Sequence, residues 1–300
     1  MNPFSGVLPA ITTPFDASGA VDHAFLAQHV RQLMEAGCKG IVPLGSLGET
    51  ATLTFDEKCA VMKTVVGAVG SRGVVTPGIA ALSTAQAVEL AQAAADAGCH
   101  GLMVLPPYVY STDWREMKAH VAAVIGATPL PCMLYNNPIA YKTDFLPPQV
   151  QELAGEFANL VAIKESSADI RRITAIRALI GDRLNILVGV DDLIVEGIAA
   201  GAVGWVAGLV AAFPQESVRL FDLARAGRHA DVEPLYHWFL PLLRLDVVPK
   251  FVQLIKLTQA RAGMGSEQVR APRLVLSGTE REEALAIIDH ALATRPKMKP

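Results

Sequence analysis

The sequence predicts an α/β protein built as a (β/α)8 barrel, a TIM barrel, with a C-terminal helical appendage. Eight short apolar runs follow one another with little polar alternation, stretches of helical spacing separate them, and no Gly/Ser linker divides the 300 residues. Runs without alternation suit parallel strands buried on both faces, and apolar residues three and four apart suit helices lying on such a sheet. The first seven runs begin roughly 25 to 34 residues apart, the length of one strand–helix unit. Eight such units in one chain point to a closed barrel.

In chain order the runs are LPAITT (8–13), GIVPLG (40–45), VVTPGIA (74–80), GLMVLPP (101–107), PCMLYNN (131–137), LVAIKES (160–166), NILVGVDD (185–192) and AVGWVAGLV (202–210). Segments such as His23 to Glu35, Thr84 to Ala97 and Ile170 to Ile180 carry the helical spacing. EAGCKGIVPLG (35–45) and DAGCHGLMVLP (96–106) echo each other as helix end, Ala-Gly stop and strand start, the glycine accepting the left-handed backbone that ends a helix. Beyond residue 213 the pattern is helical only, over roughly 214–226, 229–244, 249–263 and 279–293. We therefore expect a barrel over 1–226 and a helical region over 227–300 packed on it. The apolar stripe of Leu240, Leu243, Phe251, Leu254 and Ile255 calls for cover, from the barrel or partly from another subunit.

Composition narrows the function classes. At 51% hydrophobic and 18% charged, the chain can fill a sizeable core. A net charge of −3 and aromatics at 6% offer neither a basic field nor stacking platforms, so nucleic acid is not an expected partner. The start MNPFSGVLPAITTPF has no basic region leading into an apolar run, and the most apolar window, Ile198 to Phe213, is interrupted by glycines and too short for a span. Cys38, Cys59, Cys99 and Cys132 are scattered without CxxC spacing and read as free thiols, three of them buried. A cytoplasmic setting without membrane contact is the expectation.

Active sites of such barrels are assembled at the C-terminal ends of the strands. The polar residues there are Thr12, Thr13, Ser46, Glu49, Thr50, Tyr108, Tyr110, Tyr135, Asn136, Lys164, Glu165, Ser166, Asp191 and Asp192. Lys164 is the most informative, because it interrupts the apolar run 160–163 and period two turns it to the side of Leu160 and Ala162. An ammonium is costly to bury, so its pKa should fall, and a neutral amine is the nucleophile that carbonyl condensation needs. A lysine at a strand end can also snorkel to water or pair with Glu165. Tyr135 ends the preceding run, where a phenol could shuttle protons to a carbinolamine, or could be a core tyrosine with a wet hydroxyl. The glycines around Ser46 in GSLGE allow a tight turn whose N–H groups and hydroxyl could hold a carboxylate, although most such turns are only turns.

Other constellations are missing: there is no P-loop, no HExxH and no GxGxxG after the first strand. The seven histidines are dispersed, and Asp191-Asp192 alone is a thin case for a cation. No metal is expected.

GSLGE (45–49), YNNP (135–138), AIKES (162–166) and GVDD (189–192), in that order and spacing, resemble the dihydrodipicolinate synthase/N-acetylneuraminate lyase family, and the likeness runs from LPAITTPF (8–15) to the C-terminal helices. The resemblance implies a class I lyase with Lys164 as the Schiff-base lysine and Tyr135 as proton shuttle, and Ser46 with the Leu47 N–H as the seat of the substrate carboxylate. Tyr108, or alternatively Tyr110, would complete the relay from a neighbouring subunit, in a homotetramer built as a dimer of dimers. The covalent lysine imine would do the activating work, with no other cofactor.

Two departures bear on substrate. Leu47 stands where the family's turn usually has a second hydroxyl residue. Ala140, in YNNPIAYKTDF, stands where dihydrodipicolinate synthases carry an arginine that grips the aldehyde's carboxylate, and losing a bidentate clamp weakens such a substrate. The stretches around Lys164 and Asp191 look closest to the subgroup that deaminates Δ1-pyrroline-4-hydroxy-2-carboxylate to 2,5-dioxopentanoate and ammonia in hydroxyproline breakdown. In that chemistry Lys164 attacks C2, the ring opens, a C3 proton leaves and the 4-hydroxyl is eliminated, with Tyr135 handling protons. Asn137, Tyr141, Gly189, Asp191 and Asp192 would line the pocket, though capping and solvated ends account for them equally well. The alternatives are a pyruvate-dependent aldolase or synthase, such as dihydrodipicolinate synthase or a sugar-acid aldolase, and, more remotely, a ligand-binding relative without activity.

Overall fold

A computed structural model of the chain describes residues 2–107 and 113–297. Its strands are β1 Gly6–Pro9, β2 Gly40–Ile41, β3 in two pieces (Val74–Val75 and Gly78–Ile79), β4 Leu102–Val104, β5 Cys132–Asn136, β6 Leu160–Glu165, β7 Asn185–Val188 and β8 Gly204–Ala207. Every pairing between these strands is parallel, from β3–β4 through β4–β5, β5–β6, β6–β7 and β7–β8 to β8–β1. On the other side β2 pairs with β3, and Val42 N–H donates to the Pro9 carbonyl at 2.9 Å while Ile11 N–H donates to the Val42 carbonyl at 3.1 Å. The ring is thereby closed, and the fold is the (β/α)8 barrel that the eight runs predict.

The strands are shorter than the apolar runs, for a physical reason. Pro43, Pro77, Pro106 and Pro107 supply no N–H to a ladder; β2 ends before Pro43, β3 breaks at Thr76-Pro77, and β4 ends before the Pro pair. At the first run the reading places the strand late: β1 starts at Gly6, while Ala10 only bridges Val42. Residues 10–13 are apolar or neutral because they pass over the buried barrel mouth, where apolarity no longer distinguishes strand from loop.

The helices follow their spacing more closely: α1 His23–Glu35, α2 Phe55–Val69, α3 Thr84–Asp96, α4 Trp114–Gly126, the short α5 Pro138–Tyr141, α6 Pro147–Glu156, α7 Arg171–Ile180, α8 Ile194–Ala199 and α9 Pro214–Arg225. Asp22 caps α1 by accepting the Phe25 N–H at 2.9 Å, and Thr54 with Glu57 forms a reciprocal capping box on α2. The two echoing Ala-Gly stops are real, with Gly37 and Gly98 at φ 101° and 80°. Then come α10 His229–Leu243, α11 Phe251–Ala262 and α12 Gly278–Ala293. Leu243, Leu254 and Ile255 are buried, as that stripe requires, and Leu240 and Phe251 are half-buried. Trp238 Nε1 donates to the Ala291 carbonyl at 3.1 Å, tying α10 to α12.

Cys38, Cys99 and Cys132 are buried free thiols whose pKa burial pushes up to about 12, and Cys59 is half-buried. Among the described residues no helix is long and apolar enough to cross a membrane.

Candidate active site

Register builds the centre of the site. Tyr135 in β5 pairs directly with Lys164 in β6, so the two side chains leave neighbouring strands at the same height and on the same face. The Lys164 amine lies 4.2 Å from the centroid of the Tyr135 ring, and both residues are buried. Burial lowers the Lys164 pKa to about 8, and the carboxyl groups of Asp246 and Asp191 partly offset it. The pairing with Glu165 does not form: Glu165 faces the other way, accepting from Asn136 Nδ2 at 3.1 Å and from the Ser167 N–H at 2.6 Å.

The Tyr135 hydroxyl accepts from Asn137 Nδ2 at 2.9 Å, and burial pushes its pKa up to about 12. Asn137 does both of the things open to it. Its side-chain oxygen caps α5 by accepting the Ala140 N–H at 3.0 Å while its amide positions the phenol. Short α5 then carries Tyr141 back over the mouth, edge-on to Tyr135 with centroids 5.8 Å apart. The Tyr141 hydroxyl is hydrogen-bonded to Ser46 Oγ. Ser46, Tyr141, Tyr135, Asn137 and Lys164 thus form one continuous polar cluster at the strand ends.

The turn that carries Ser46 and Leu47 is held differently from the glycine-driven geometry the sequence suggests. The left-handed residues are Leu44 (φ 61°) and Glu49 (φ 54°), not the glycines. Gly48 is needed for space, since a Cβ there would lie 3.0 Å from the Leu44 nitrogen and 3.2 Å from the Ile11 carbonyl. Thr13 Oγ1 donates to the Gly48 carbonyl at 2.7 Å. Glu49 is buried and pairs with Lys256 Nζ at 2.6 Å, and its other oxygen accepts the Arg270 N–H at 3.0 Å. Lys256 also donates to the Gln268 carbonyl and sits over the Phe15 ring. Removing one partner of a buried pair strands the other charge. Lys256→Met should therefore lower unfolding stability by about 3–5 kcal/mol, and Glu49→Gln in the same background should recover part of it in urea titrations.

Gly189 packs against the stem of Lys164: a Cβ there would lie 2.6 Å from Lys164 Cε and would collide with Ser166 Oγ. The adjacent acids part company. Asp191 points into the barrel mouth and accepts the Leu209 N–H at 2.9 Å, while Asp192 turns outward to Arg244 at 3.5 Å. Burial raises the Asp191 pKa to about 7. Tyr108 and Tyr110 lie outside the described residues.

Sequence reasoning missed the contribution of the C-terminal region. Lys256 and Gln259 come from α11, and Asp246 from the turn that follows α10. Gln259 accepts from Thr12 Oγ1 at 2.8 Å. A usable signal existed: Val252, Lys256 and Gln259 share the inward face of α11, and polar residues on a buried stripe call for partners.

The arrangement presents a desolvated amine, a phenol, a hydroxyl turn and two inward carboxyls, a set suited to imine chemistry on a small carbonyl acid. Comparison with known proteins agrees. The sequence model of the dihydrodipicolinate synthetase family matches residues 3–291. The 4-hydroxy-tetrahydrodipicolinate synthase of Geobacter metallireducens is 32% identical over 285 residues, covering 95% of this chain and 98% of that one. The crystal structure of dihydrodipicolinate synthase DapA-2 from Bacillus anthracis superimposes with a TM-score of 0.92 at 28% identity, over 99% of this chain and 100% of that one. YagE, a prophage protein of the dihydrodipicolinic acid synthase family from E. coli K12, solved in complex with pyruvate, matches at TM-score 0.90 and 26% identity, over 96% and 99% of the two chains.

Proposed function

The chain belongs to the dihydrodipicolinate synthetase family as a class I lyase or synthase, and from that premise we propose that Lys164 carries the substrate as an imine to C2 of a small 2-oxo acid of the pyruvate type. One observation supports this above the rest: the buried Lys164 amine, its pKa lowered to about 8, set over the ring of its register partner Tyr135. The substrate carboxylate sits at the Ser46–Leu47 turn, Tyr135 moves protons to and from the carbinolamine, and Gly189 leaves room for the lysine stem. No further cofactor is needed, because the imine is itself the electron sink. Loss of a C3 proton then gives an enamine that adds to an aldehyde, or that is regenerated when such an adduct is cleaved. The relatives' names favour this aldolase or synthase reading. Tyr108, supplied across a subunit contact of a cytoplasmic homo-oligomer, belongs to the same reading.

A second reading, deamination of Δ1-pyrroline-4-hydroxy-2-carboxylate, is favoured by a specific feature. Ala140 offers no clamp for a second carboxylate on the aldehyde, and inward Asp191 would repel one. A hydroxylated cyclic imine carries a single carboxylate and avoids both problems.

Borohydride trapping with pyruvate should add one pyruvate-derived mass to the peptide containing Lys164, and no adduct there would sink the proposal. Ammonia release from the cyclic imine then separates the readings. Its presence establishes the deaminase, and its absence beside an intact pyruvate adduct leaves the aldolase or synthase.

A further inference from the structure

Beyond the lysine and the tyrosine, the mouth of the barrel holds two carboxyl groups. Asp191 comes from the loop after β7 and is fully buried, with Oδ2 accepting the Leu209 N–H at 2.9 Å. Asp246 reaches in from the turn Arg244–Asp246 after α10. As a residue it is half-buried, but its Oδ1 is cut off from solvent. Asp191 Oδ1 and Asp246 Oδ1 are cut off from solvent without a well-formed hydrogen bond from another group among the described residues, and the two carboxyls lie within reach of each other and of the Gly208 N–H.

Gly208, just past β8, makes this approach possible. A Cβ at Gly208 would collide with the Asp246 carboxyl, and it would lie 2.9 Å from Leu47 Cδ2. Asp246 therefore leans over Gly208 into the same space as the Ser46–Leu47 turn. Its carboxyl interacts electrostatically with both Asp191 and Lys164. Tyr135 feels both carboxyls, whereas Arg244, the nearest arginine in sequence, pairs outward with Asp192.

Two adjacent carboxyls away from water cannot both ionise readily, so they hold one proton between them. Burial raises the Asp246 pKa well above the usual carboxylate range, and the neighbouring Asp191 raises it further. A purely structural carboxyl would be expected to have its acceptors filled by surrounding donors; these two carboxyls are instead set against each other, away from water, at the mouth of the site.

We propose that Asp246 is a catalytic residue whose carboxyl, sharing a proton with Asp191, transfers that proton to the oxygen on C4 of a substrate held through C2 on Lys164. The proposal rests on the imine reading of Lys164 and serves both reactions considered above. In addition to an aldehyde, the enamine pair forms the C3–C4 bond, the carbonyl pair moves to oxygen, and that oxygen takes the carboxyl proton to become the 4-hydroxyl. In elimination, the enamine pair forms a C3–C4 double bond, the C4–O bond breaks towards oxygen, and the oxygen takes the proton and leaves as water. Each step ends with an iminium on Lys164 beside a carboxylate on the pair, so opposite charges develop together. The carboxylate recovers its proton from solvent between turnovers.

The test compares the wild-type protein with Asp246→Asn in two assays. Exchange of pyruvate methyl protons in D2O, followed by NMR, needs only C2 and C3. Cleavage of 4-hydroxy-2-oxopentanoate and ammonia release from Δ1-pyrroline-4-hydroxy-2-carboxylate both need the C4 oxygen. The variant should keep exchange within about threefold while the C4 reaction that the wild type catalyses falls by ~100-fold or more. Retained C4 turnover would overturn the proposal, and so would a parallel loss of exchange, which would mean that Asp246 acts through Lys164. A wild type that exchanges pyruvate protons but turns over neither C4 substrate also overturns it. A wild type that neither exchanges nor traps pyruvate brings down the imine reading instead, and this proposal with it. If the asparagine variant gives no cooperative melt, Asp246→Ala removes the same carboxyl without touching the Ser46–Leu47 turn and is judged by the same ratio of rates.

Discussion

Lys164→Ala should abolish borohydride trapping with pyruvate and lower turnover by on the order of 10⁴-fold, about 5.5 kcal/mol of barrier. The size of the effect follows from what the amine does: without it there is no imine, no enamine and no nucleophilic carbon. Lys164→Arg keeps a cation over the Tyr135 ring but cannot form an imine, and it should be equally inactive. Residual turnover near wild type in either variant, measured on protein with an unchanged melting curve, would refute the assignment. The same residue predicts a pH dependence. With its pKa lowered to about 8, roughly one amine in ten is neutral at pH 7, against about one in three thousand for an unperturbed lysine. The rate of trapping should therefore rise as pH passes through about 8 and level off above it, because only the deprotonated amine attacks. A trapping rate still climbing tenfold per unit above pH 9 would show that the lysine is not desolvated in solution.

How much of this was legible in the sequence depends on which interactions are local. The barrel was readable because strand burial and helix amphipathicity are written in periods of two and 3.6, and Lys164 stood out as a charge at the end of an apolar run. Its partnership with Tyr135 follows from strand register, which each run's ending position nearly sets. Three things were not readable. The turn at Ser46 draws its left-handed residues from Leu44 and Glu49, because a distant ion pair with Lys256 and contacts with Arg270 hold Glu49 in place. Asp191 and Asp192, neighbours in sequence, point to opposite environments, since a 3-10 turn begins there and rotates successive side chains by about 120°. Asp246 enters the site 200 residues after Ser46 through the absence of a side chain at Gly208, and no periodicity encodes a contact made by leaving space.

Tyr135→Phe isolates the phenol from the ring. The substituted ring still supports the Lys164 amine and still packs edge-on against Tyr141, so the fold loses little beyond the hydrogen bond from Asn137, worth about 1 kcal/mol. Turnover should nevertheless fall by ~10²–10⁴-fold, the usual contribution of a positioned proton donor. The direction of proton transfer matters here. Burial pushes the Tyr135 hydroxyl up to about 12, so throughout the neutral range it is a protonated donor and becomes a base only after giving its proton away. The variant should thus still form the imine, more slowly, because expelling hydroxide from the carbinolamine is the step that needs a proton. Trapping experiments with pyruvate would then show an adduct on Lys164 that accumulates late but completely. The rise with pH set by Lys164 should remain, since that titration belongs to the amine. If the phenylalanine variant traps and turns over at wild-type rates, the hydroxyl serves only to anchor Asn137, and the protons must come from the Asp191–Asp246 pair. A variant that traps normally but turns over slowly would place the phenol after imine formation, at the C3 proton, which is a different mechanism on the same residues.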